Sequence, residues 1–232
     1  MIEEPPKLII KMPFRRPTTI QTFAFRNVPT GFVADALDGS GALHQTIKPL
    51  GEGVDIPCVV AGPALTVNTG PADILALLAA LKYIEPGDVV VSAFGAYQGC
   101  AACGDRVAGM ISNNGAAGLV IDGPIRDYAG MVKVGLPAWC TGINPNSPVA
   151  QGPGTIGQAI QIGGMEVETG DMIVADRDGV VVVPFEKIDH VIERLERIKK
   201  LEEELDKQVA DGLRQPADIA KLLESDQVQF IE

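Results

Sequence analysis

Residues 89–140 read VVVSAFGAYQGCAACGDRVAGMISNNGAAGLVIDGPIRDYAGMVKVGLPAWC. Val89-Val-Val-Ser-Ala93 is a short apolar run with the β-branched bias of a core strand. Gly104–Asn114 has helical spacing, and Gly118-Leu-Val-Ile-Asp122 is again a strand. Arg126–Val134 is predicted as a helix and Pro137-Ala-Trp-Cys140 as a further short strand. Strands and helices that alternate at this length predict a sheet with crossover helices.

Upstream, Cys58–Val67 reads as a strand with a Gly-Pro interruption. Pro71–Leu81 is apolar all round and rich in helix formers, so a buried helix is predicted, ended by the Pro86-Gly-Asp turn. Thr30–Gly39 reads as a short helix stopped at glycine, and Gly39–Gly53 as a turn-rich connection. Downstream the style changes. Ile156–Gly164, Met165–Glu168, Met172–Ala175 and Val180–Val183 read as strands of an antiparallel section, with a tight turn at Asp176–Gly179. A long charged helix, roughly Phe185–Val209, carries Ile188, Val191, Ile192, Leu195, Ile198, Leu201 and Leu205 on one stripe. With fewer than four clean heptads, that stripe fits docking on the body or across a subunit boundary better than a coiled coil. A polar tail closes the chain. The fold class is therefore α/β: a parallel or mixed sheet with crossover helices, then antiparallel β and a long C-terminal helix. The organisation is an N-terminal arm (1–30), a main α/β domain (31–184) and a C-terminal helix and tail (185–232).

The chain has 232 residues, 46% of them apolar and 21% charged, as in a globular domain. Its net charge of −11 argues against nucleic acid as the main partner, and the only adjacent arginine pair, Arg15–Arg16, lies in the arm. An anionic substrate must then be attracted locally, by a cation or a helix N-terminus. No secretory signal is visible and no apolar run is long enough to cross a bilayer, so no membrane association and a soluble cytoplasmic protein are expected. Of four cysteines, Cys100 and Cys103 form a C-x-x-C. A redox pair or half a zinc site is one reading. Two small residues in a Gly/Ala-rich turn is the favoured one, because no second pair of ligands accompanies them.

The chemistry centres on Gly104-Asp105-Arg106-Val107 and on Ile121-Asp-Gly-Pro-Ile-Arg126-Asp127. Gly104 opens a helix whose first N–H groups are free to cradle an anion. Twenty residues separate Asp105 from Arg126, enough for one helix and one strand, which returns the chain to the same end of the sheet. Ligands of α/β folds bind at the carboxyl ends of strands, so both segments are expected to face one cleft. Arg126 suits a two-pronged grip on a carboxylate. Asp127 suits a hard cation such as Mg²⁺ or Mn²⁺, with water completing its shell. Asp105 suits positioning or deprotonating a water. Taken singly, each has an ordinary reading: a helix cap, or a solvated surface pair.

Together, D-x20-R-D, the Ile-Asp-Gly-x-x-Arg-Asp run, the Asp35-Ala-Leu opening and the late Gly170-Asp … Ala175-Asp … Gly179-Val-Val-Val-Val-Pro184 resemble class II 4-hydroxy-4-methyl-2-oxoglutarate aldolases. These belong to the RraA-like superfamily, named after the regulator of ribonuclease activity A. The likeness covers roughly residues 31–184. It implies a swivelling β/β/α domain. It implies that Gly104, Asp105, Arg106 and Val107 contact the substrate, partly through backbone amides. Arg126 would bind the pyruvyl carboxylate and help stabilise the enolate, Asp127 would anchor the divalent metal, and Asp105 would orient the water that starts cleavage. Arg106 and Val107 stand where the family often has apolar residues, and the C-x-x-C is outside the pattern.

The resemblance implies a metal-dependent carbon–carbon lyase: retro-aldol cleavage of 4-hydroxy-2-oxo acids to pyruvate, with oxaloacetate decarboxylation through the same enolate. No Schiff-base lysine is required; Lys82 and Lys133 sit in ordinary helix contexts. The alternative is a non-catalytic superfamily member that binds and regulates an RNA-processing enzyme, which the presence of Asp105, Arg126 and Asp127 disfavours. The resemblance also implies a homotrimer, or a homohexamer made of two such rings. The polar singletons are weaker signals. His44 as a phosphate carrier is disfavoured, Asp176 and Asp178 are turn formers, and Trp139 and Phe94 are expected in the core.

Overall fold

A computed structural model describes residues 6–231. The chain forms β1 (Leu8–Ile10), α1 (Thr19–Ala24), α2 (Thr30–Ala36), β2 (Lys48–Pro49), β3 (Val60–Asn68), α3 (Leu75–Ala80), β4 (Val89–Ala93), α4 (Asp105–Asn113), β5 (Gly118–Ile121), α5 (Tyr128–Val134) and β6 (Ala138–Cys140). It continues with β7 (Gly154–Ile156), β8 (Ile160–Ile162), β9 (Met165–Val167), β10 (Met172–Ala175), β11 (Val180–Val183), α6 (Ile188–Ala210) and α7 (Ala217–Leu223). Among the described residues no helix is long and apolar enough to cross a membrane.

The main sheet has the order β1-β7-β3-β4-β5-β6-β2, with β3, β4, β5 and β6 parallel. β10 pairs antiparallel with β3 and β11 with β10. The Gly62-Pro63 step does not interrupt β3; it is where that strand changes partner. Val60–Pro63 pair with β10, and Ala64–Asn68 pair with β4. Proline lacks an N–H, so it is tolerated where a ladder hands over. Gly62 permits a close approach, since a Cβ there would collide with the Gly87 carbonyl.

Every central strand is buried on both faces, as parallel sheets require. In β4, Val89 and Val91 face one apolar cluster and Val90 the other; in β5, Val120 opposes Leu119 and Ile121. One face is covered by α3, α4 and α5 through residues such as Leu77, Ala108 and Met131. The opposite face packs on Trp139, the β8–β9 hairpin and β10–β11. A third cluster joins the outer face of β10–β11 to α2 and the first half of α6, through Val33, Val181, Val191 and Leu195. Trp139 and Phe94 are fully buried, and the indole N–H donates to the Asp176 carbonyl at 2.9 Å.

Several elements differ from expectation. The helix read at Pro71–Leu81 is only Leu75–Ala80, followed by a 3-10 turn at Leu81–Tyr83. Ala72 has φ +60°, and the buried Asp73 carboxylate accepts from the N–H groups of Leu75, Gln151 and Gly152. Burial pushes that carboxyl up, but these backbone donors outweigh it and its pKa ends below the ordinary value. The strand read at Ile156–Gly164 breaks at Gly157, where a Cβ would meet Phe14 and the Lys11 carbonyl. β7 also pairs in parallel with β1, so the second half is not purely antiparallel. The C-terminal segment holds α7 before the polar end. Asp176 does more than form a turn: its carboxylate accepts from Thr30 N and Thr30 Oγ1, both at 2.8 Å, and so fixes the start of α2.

The described part of the arm packs on the body. Arg16 grips the buried Asp88 carboxylate with two bonds of 2.8 and 2.7 Å. Arg15 reaches Glu168 and Glu186 and lies over the Phe185 ring. Thr18 and Gln21 form a capping box at α1. The arm's first five residues and Glu232 lie outside the described residues.

Candidate active site

β4, β5 and β6 are parallel, so their carboxyl ends emerge together. Beyond those ends the three following loops remain zipped to one another. Cys103 bridges to Ile125 and Ile125 to Ile143, both in parallel. The bonds are Ala102 N to Pro124 O at 2.7 Å, Arg126 N to Cys103 O at 3.0 Å, Ile125 N to Gly142 O at 2.9 Å and Asn144 N to Ile125 O at 3.0 Å. This zipper sets Gly104-Asp105 beside Arg126-Asp127. Its first strand is the run Cys100-Ala-Ala-Cys103, whose four residues are all buried.

The zipper explains the C-x-x-C as tightly packed small residues. All four cysteines are free. Burial pushes the Cys103 thiol up to about 12 and the Cys140 thiol up to about 11, which keeps both protonated and unreactive at neutral pH.

A cavity of about 600 Å³ is lined by Ile74, Leu78, Cys103, Gly104, Asp105, Arg106, Val107, Met110, Arg126, Asp127, Ser147 and Pro148. All six residues singled out in the sequence therefore share one cleft. Gly104 caps α4 and Asp105 begins it; the bonds of Val107 N and Ala108 N to Gly104 O start the helical ladder. The N–H groups of Asp105 and Arg106 stand before that ladder, as anion donors at a helix N-terminus do.

Arg126 and Asp127 do not begin a helix, contrary to expectation. α5 starts at Tyr128, and Asp127 adopts the left-handed conformation, φ +61° and ψ +44°. Aspartate tolerates this region better than most residues, at some cost in strain. Asp127 is the N-cap residue of α5, yet its carboxylate makes no capping hydrogen bond. Its Oδ2 lies 3.3 Å from Arg126 Nε, and Arg126 Nη1 donates to Ser147 Oγ. The guanidinium is thus oriented from two sides.

Two glycines set the spacing. A Cβ on Gly104 would press on Asp127 Oδ2 and on Arg126 Cγ at 3.0 Å. A Cβ on Gly130 would overlap the Asp105 carboxylate, so a bare backbone on α5 is what gives Asp105 its place. Gly130, Ser147 and the apolar wall of Ile74, Leu78 and Met110 are absent from the sequence reading. Ser147 lies far from the motif in sequence, and the wall residues carry the same signal as core.

Among the described residues no group of three or more His, Cys, Asp or Glu side chains forms a cation cage. Asp105 and Asp127 line the cavity, and among the described residues no hydrogen bond to another side chain occupies the Asp105 carboxylate. Hard oxygen donors of this kind and number suit Mg²⁺ or Mn²⁺, which take one or two carboxylates and keep several waters. The donor set therefore fits a divalent cation.

A second cavity of about 610 Å³ lies beside the same strand ends, lined by His44, Thr46, Ile47, Ala96, Gln98, Asp122, Thr141, Gly163 and Gly164. Asp122 accepts from the N–H groups of Phe94 and Ala96 and holds the loop after β4. Burial raises its pKa despite those donors. His44 is exposed and contacts Thr46 Oγ1 at 3.1 Å.

A sheet of this order, with Asp105, Arg126 and Asp127 lining one cavity beyond its strand ends, defines an α/β protein with a polar cleft at that edge. The RraA-like family, described as Aldolase/RraA, matches residues 30–182, and the chain belongs to it. A Halalkalibacterium halodurans protein with the provisional name 4-hydroxy-4-methyl-2-oxoglutarate aldolase is 37% identical over 191 residues, covering 82% of this chain and 88% of its own. Streptomyces coelicolor RraAS2, described as an unusual member of the RNase ES inhibitor RraA protein family, is 28% identical. It superimposes with a TM-score of 0.73 over 83% of this chain and 100% of its own. The RNA-processing inhibitor RraA from Thermus thermophilis shares the fold, with a TM-score of 0.61 at 23% identity over 68% of this chain and 93% of its own. The relatives named as aldolases support an aldolase reading; the inhibitor names leave a binding role open.

Proposed function

We propose that this chain is a class II lyase that cleaves 4-hydroxy-2-oxo acids of the 4-hydroxy-4-methyl-2-oxoglutarate type to pyruvate, with oxaloacetate decarboxylation as a side activity. The observation that carries the reading is one cavity lined by Asp105, Arg126 and Asp127 at a helix N-terminus. No lysine lines it among the described residues, so a Schiff-base route has no amine to use.

Arg126, steadied by Asp127 and Ser147, grips the C1 carboxylate with its remaining donors. The free N–H groups at the start of α4 face the negative charge that grows on the C2 oxygen. Asp127 would hold Mg²⁺ or Mn²⁺ together with water. That cation supplies Lewis-acid withdrawal of electrons from the 2-oxo acid when bound. Asp105 takes the proton of the C4 hydroxyl through a water; the C4 oxygen closes to a carbonyl as the C3–C4 bond breaks, the C4 fragment leaves as the second 2-oxo product, and the bond's electron pair passes to C3 in conjugation with the C2 carbonyl. Protonation of C3 gives pyruvate. Oxaloacetate reaches the same enolate by losing CO₂, without the step that needs Asp105.

A second reading, in which the chain binds and regulates an RNA-processing enzyme, is supported by the likeness to RraAS2. Pyruvate release from a panel of 2-oxo acids, with and without Mg²⁺, separates the two. Catalysis supports the lyase; no release from any substrate favours the binding role.

A further inference from the structure

We infer that Ser147 is a second anchor for the carboxylate that Arg126 grips: its hydroxyl accepts from the guanidinium and donates its own proton to the substrate. This rests on the reading of the cavity as a 2-oxo acid site. Ser147 is the only hydroxyl-bearing side chain among the described residues that line the cavity. A hydroxyl offers one proton and two lone pairs. Arg126 Nη1 takes up a lone pair, and among the described residues Ser147 Oγ has no other hydrogen-bond partner. The proton is left for a ligand, and the neighbouring cation polarises the O–H bond, which makes it a better donor.

The segment that carries Ser147 is irregular, yet it is pinned on both sides of that residue. On one side, Asn144 Nδ2 donates to the Gln98 carbonyl at 2.8 Å and Asn146 Nδ2 to the Gly99 carbonyl at 3.0 Å. The buried Ala101 returns a bond, its N–H donating to the Asn146 carbonyl at 3.0 Å. Asn144 Oδ1 accepts from Asn146 N at 2.9 Å, which folds the two asparagines together. On the other side, Val149 N donates to the Ala72 carbonyl at 2.8 Å and Ile74 N to the Val149 carbonyl at 2.9 Å. The buried Asp73 carboxylate then holds the N–H groups of Gln151 and Gly152. Between these fastenings, Pro145 and Pro148 flank Asn146-Ser147. Proline fixes its own φ and restricts the residue before it, so the backbone of Ser147 has little freedom of its own. A hydroxyl fixed in this way loses little further entropy when a ligand arrives.

The residue type matters as much as its place. Asp127 Oδ2 already lies 3.3 Å from Arg126 Nε. A second carboxylate at position 147 would cancel the charge of the fork and compete with an anionic ligand. A hydroxyl orients the fork, keeps its charge and adds a donor next to Nη1. Each terminal guanidinium nitrogen carries two N–H groups, and Nη1 spends one of them on Ser147. A carboxylate oxygen that accepts the second lies beside Ser147 Oγ, so both anchors meet on one oxygen.

The test uses oxamate, an unreactive anion of the size and shape of pyruvate, with the full-length protein and Mg²⁺ present. Calorimetric titration should show Ser147→Ala binding oxamate roughly tenfold more weakly than the wild type, the size of one charge-assisted hydrogen bond. A crystal structure of the wild-type complex separates a direct contact from mere support of Arg126. It should place Ser147 Oγ about 2.5–3.0 Å from a carboxylate oxygen of oxamate. Unchanged affinity in Ser147→Ala overturns the inference, as does an Oγ more than about 3.5 Å from the carboxylate. Either result leaves the lyase reading standing. If oxamate does not bind the wild-type protein at all, the 2-oxo acid reading fails and this inference fails with it.

Discussion

A methyl group on Gly130 would overlap the Asp105 carboxylate, and one on Gly104 would press on Asp127. That Asp105, Arg126 and Asp127 would face one cleft was legible in the sequence, because D-x20-R-D is the length of one helix and one strand between neighbouring strand ends; the roles expected of them came from the family resemblance. The glycines that space them were not, because a close approach between α4 and α5 leaves no periodic trace. The left-handed turn at Asp127 was equally hidden, and it moves the start of α5 from Arg126 to Tyr128. Two expected outcomes belong at this scale. Asp105→Ala should cut retro-aldol cleavage by about 10²-fold or more while oxaloacetate decarboxylation falls far less, because only the former removes a hydroxyl proton. Parallel steady-state assays on both substrates check this; equal losses would give Asp105 a binding or structural role. Arg126→Lys should not restore the efficiency lost in Arg126→Ala, because a point charge cannot reproduce the planar fork held by Asp127 and Ser147. Unchanged kcat/KM in the lysine variant would move Arg126 out of the site.

The alternating strands and helices from β4 to β6 were readable from apolar runs and turn residues alone. α3 and the arm were not. Pro71–Leu81 looks helical throughout, yet Asp73 spends its carboxylate on the N–H groups of Gln151 and Gly152, and helix begins only at Leu75. The arm has little periodicity of its own, and its place is set by contacts distant in sequence, Arg16 with Asp88 above all. Asp88 is 1% exposed, so losing Arg16 strands a buried charge. Arg16→Ala should lower the free energy of unfolding by about 3 kcal/mol. For a chain of this size that is a fall in Tm of roughly 6–12 °C. Arg194→Ala, which breaks an exposed pair with Asp38, should leave Tm nearly unchanged. Differential scanning calorimetry compares the two, and equal shifts would contradict a structural role for the Arg16 pair.

At the scale of the molecule, α6 divides in two. Ile188, Val191 and Leu195 are buried in the body, while Leu201, Leu205 and Val209 continue the same stripe into solvent. The stripe was legible in the sequence; its division was not, because only the fold shows where the body ends. We expect a homotrimer, or two such rings stacked, with this exposed stripe at the subunit boundary. Truncating the arm would unpair Asp88 and confuse assembly with unfolding, so the better probe is Leu201→Glu with Leu205→Glu, outside the packed half of α6. Light scattering at micromolar concentration should report a trimer or hexamer for the wild type and a smaller species for the double variant. A monomeric, fully active wild type would overturn this assembly.

Metal-dependent cleavage in the cavity of Asp105, Arg126 and Asp127 is tested most directly at Asp127. Asp127→Asn is the sharpest variant, because asparagine tolerates the left-handed backbone at φ +61° and so removes the charge without forcing the turn. The measurement is pyruvate release from 4-hydroxy-4-methyl-2-oxoglutarate by the full-length protein. It is made in Mg²⁺, in excess chelator, and in Mg²⁺ with Asp127→Asn of unchanged Tm. Release is expected in Mg²⁺, with abolition by chelator, recovery on adding Mg²⁺ or Mn²⁺, and loss of most activity in the variant. Full activity in excess chelator, or in Asp127→Asn, would contradict metal-dependent cleavage.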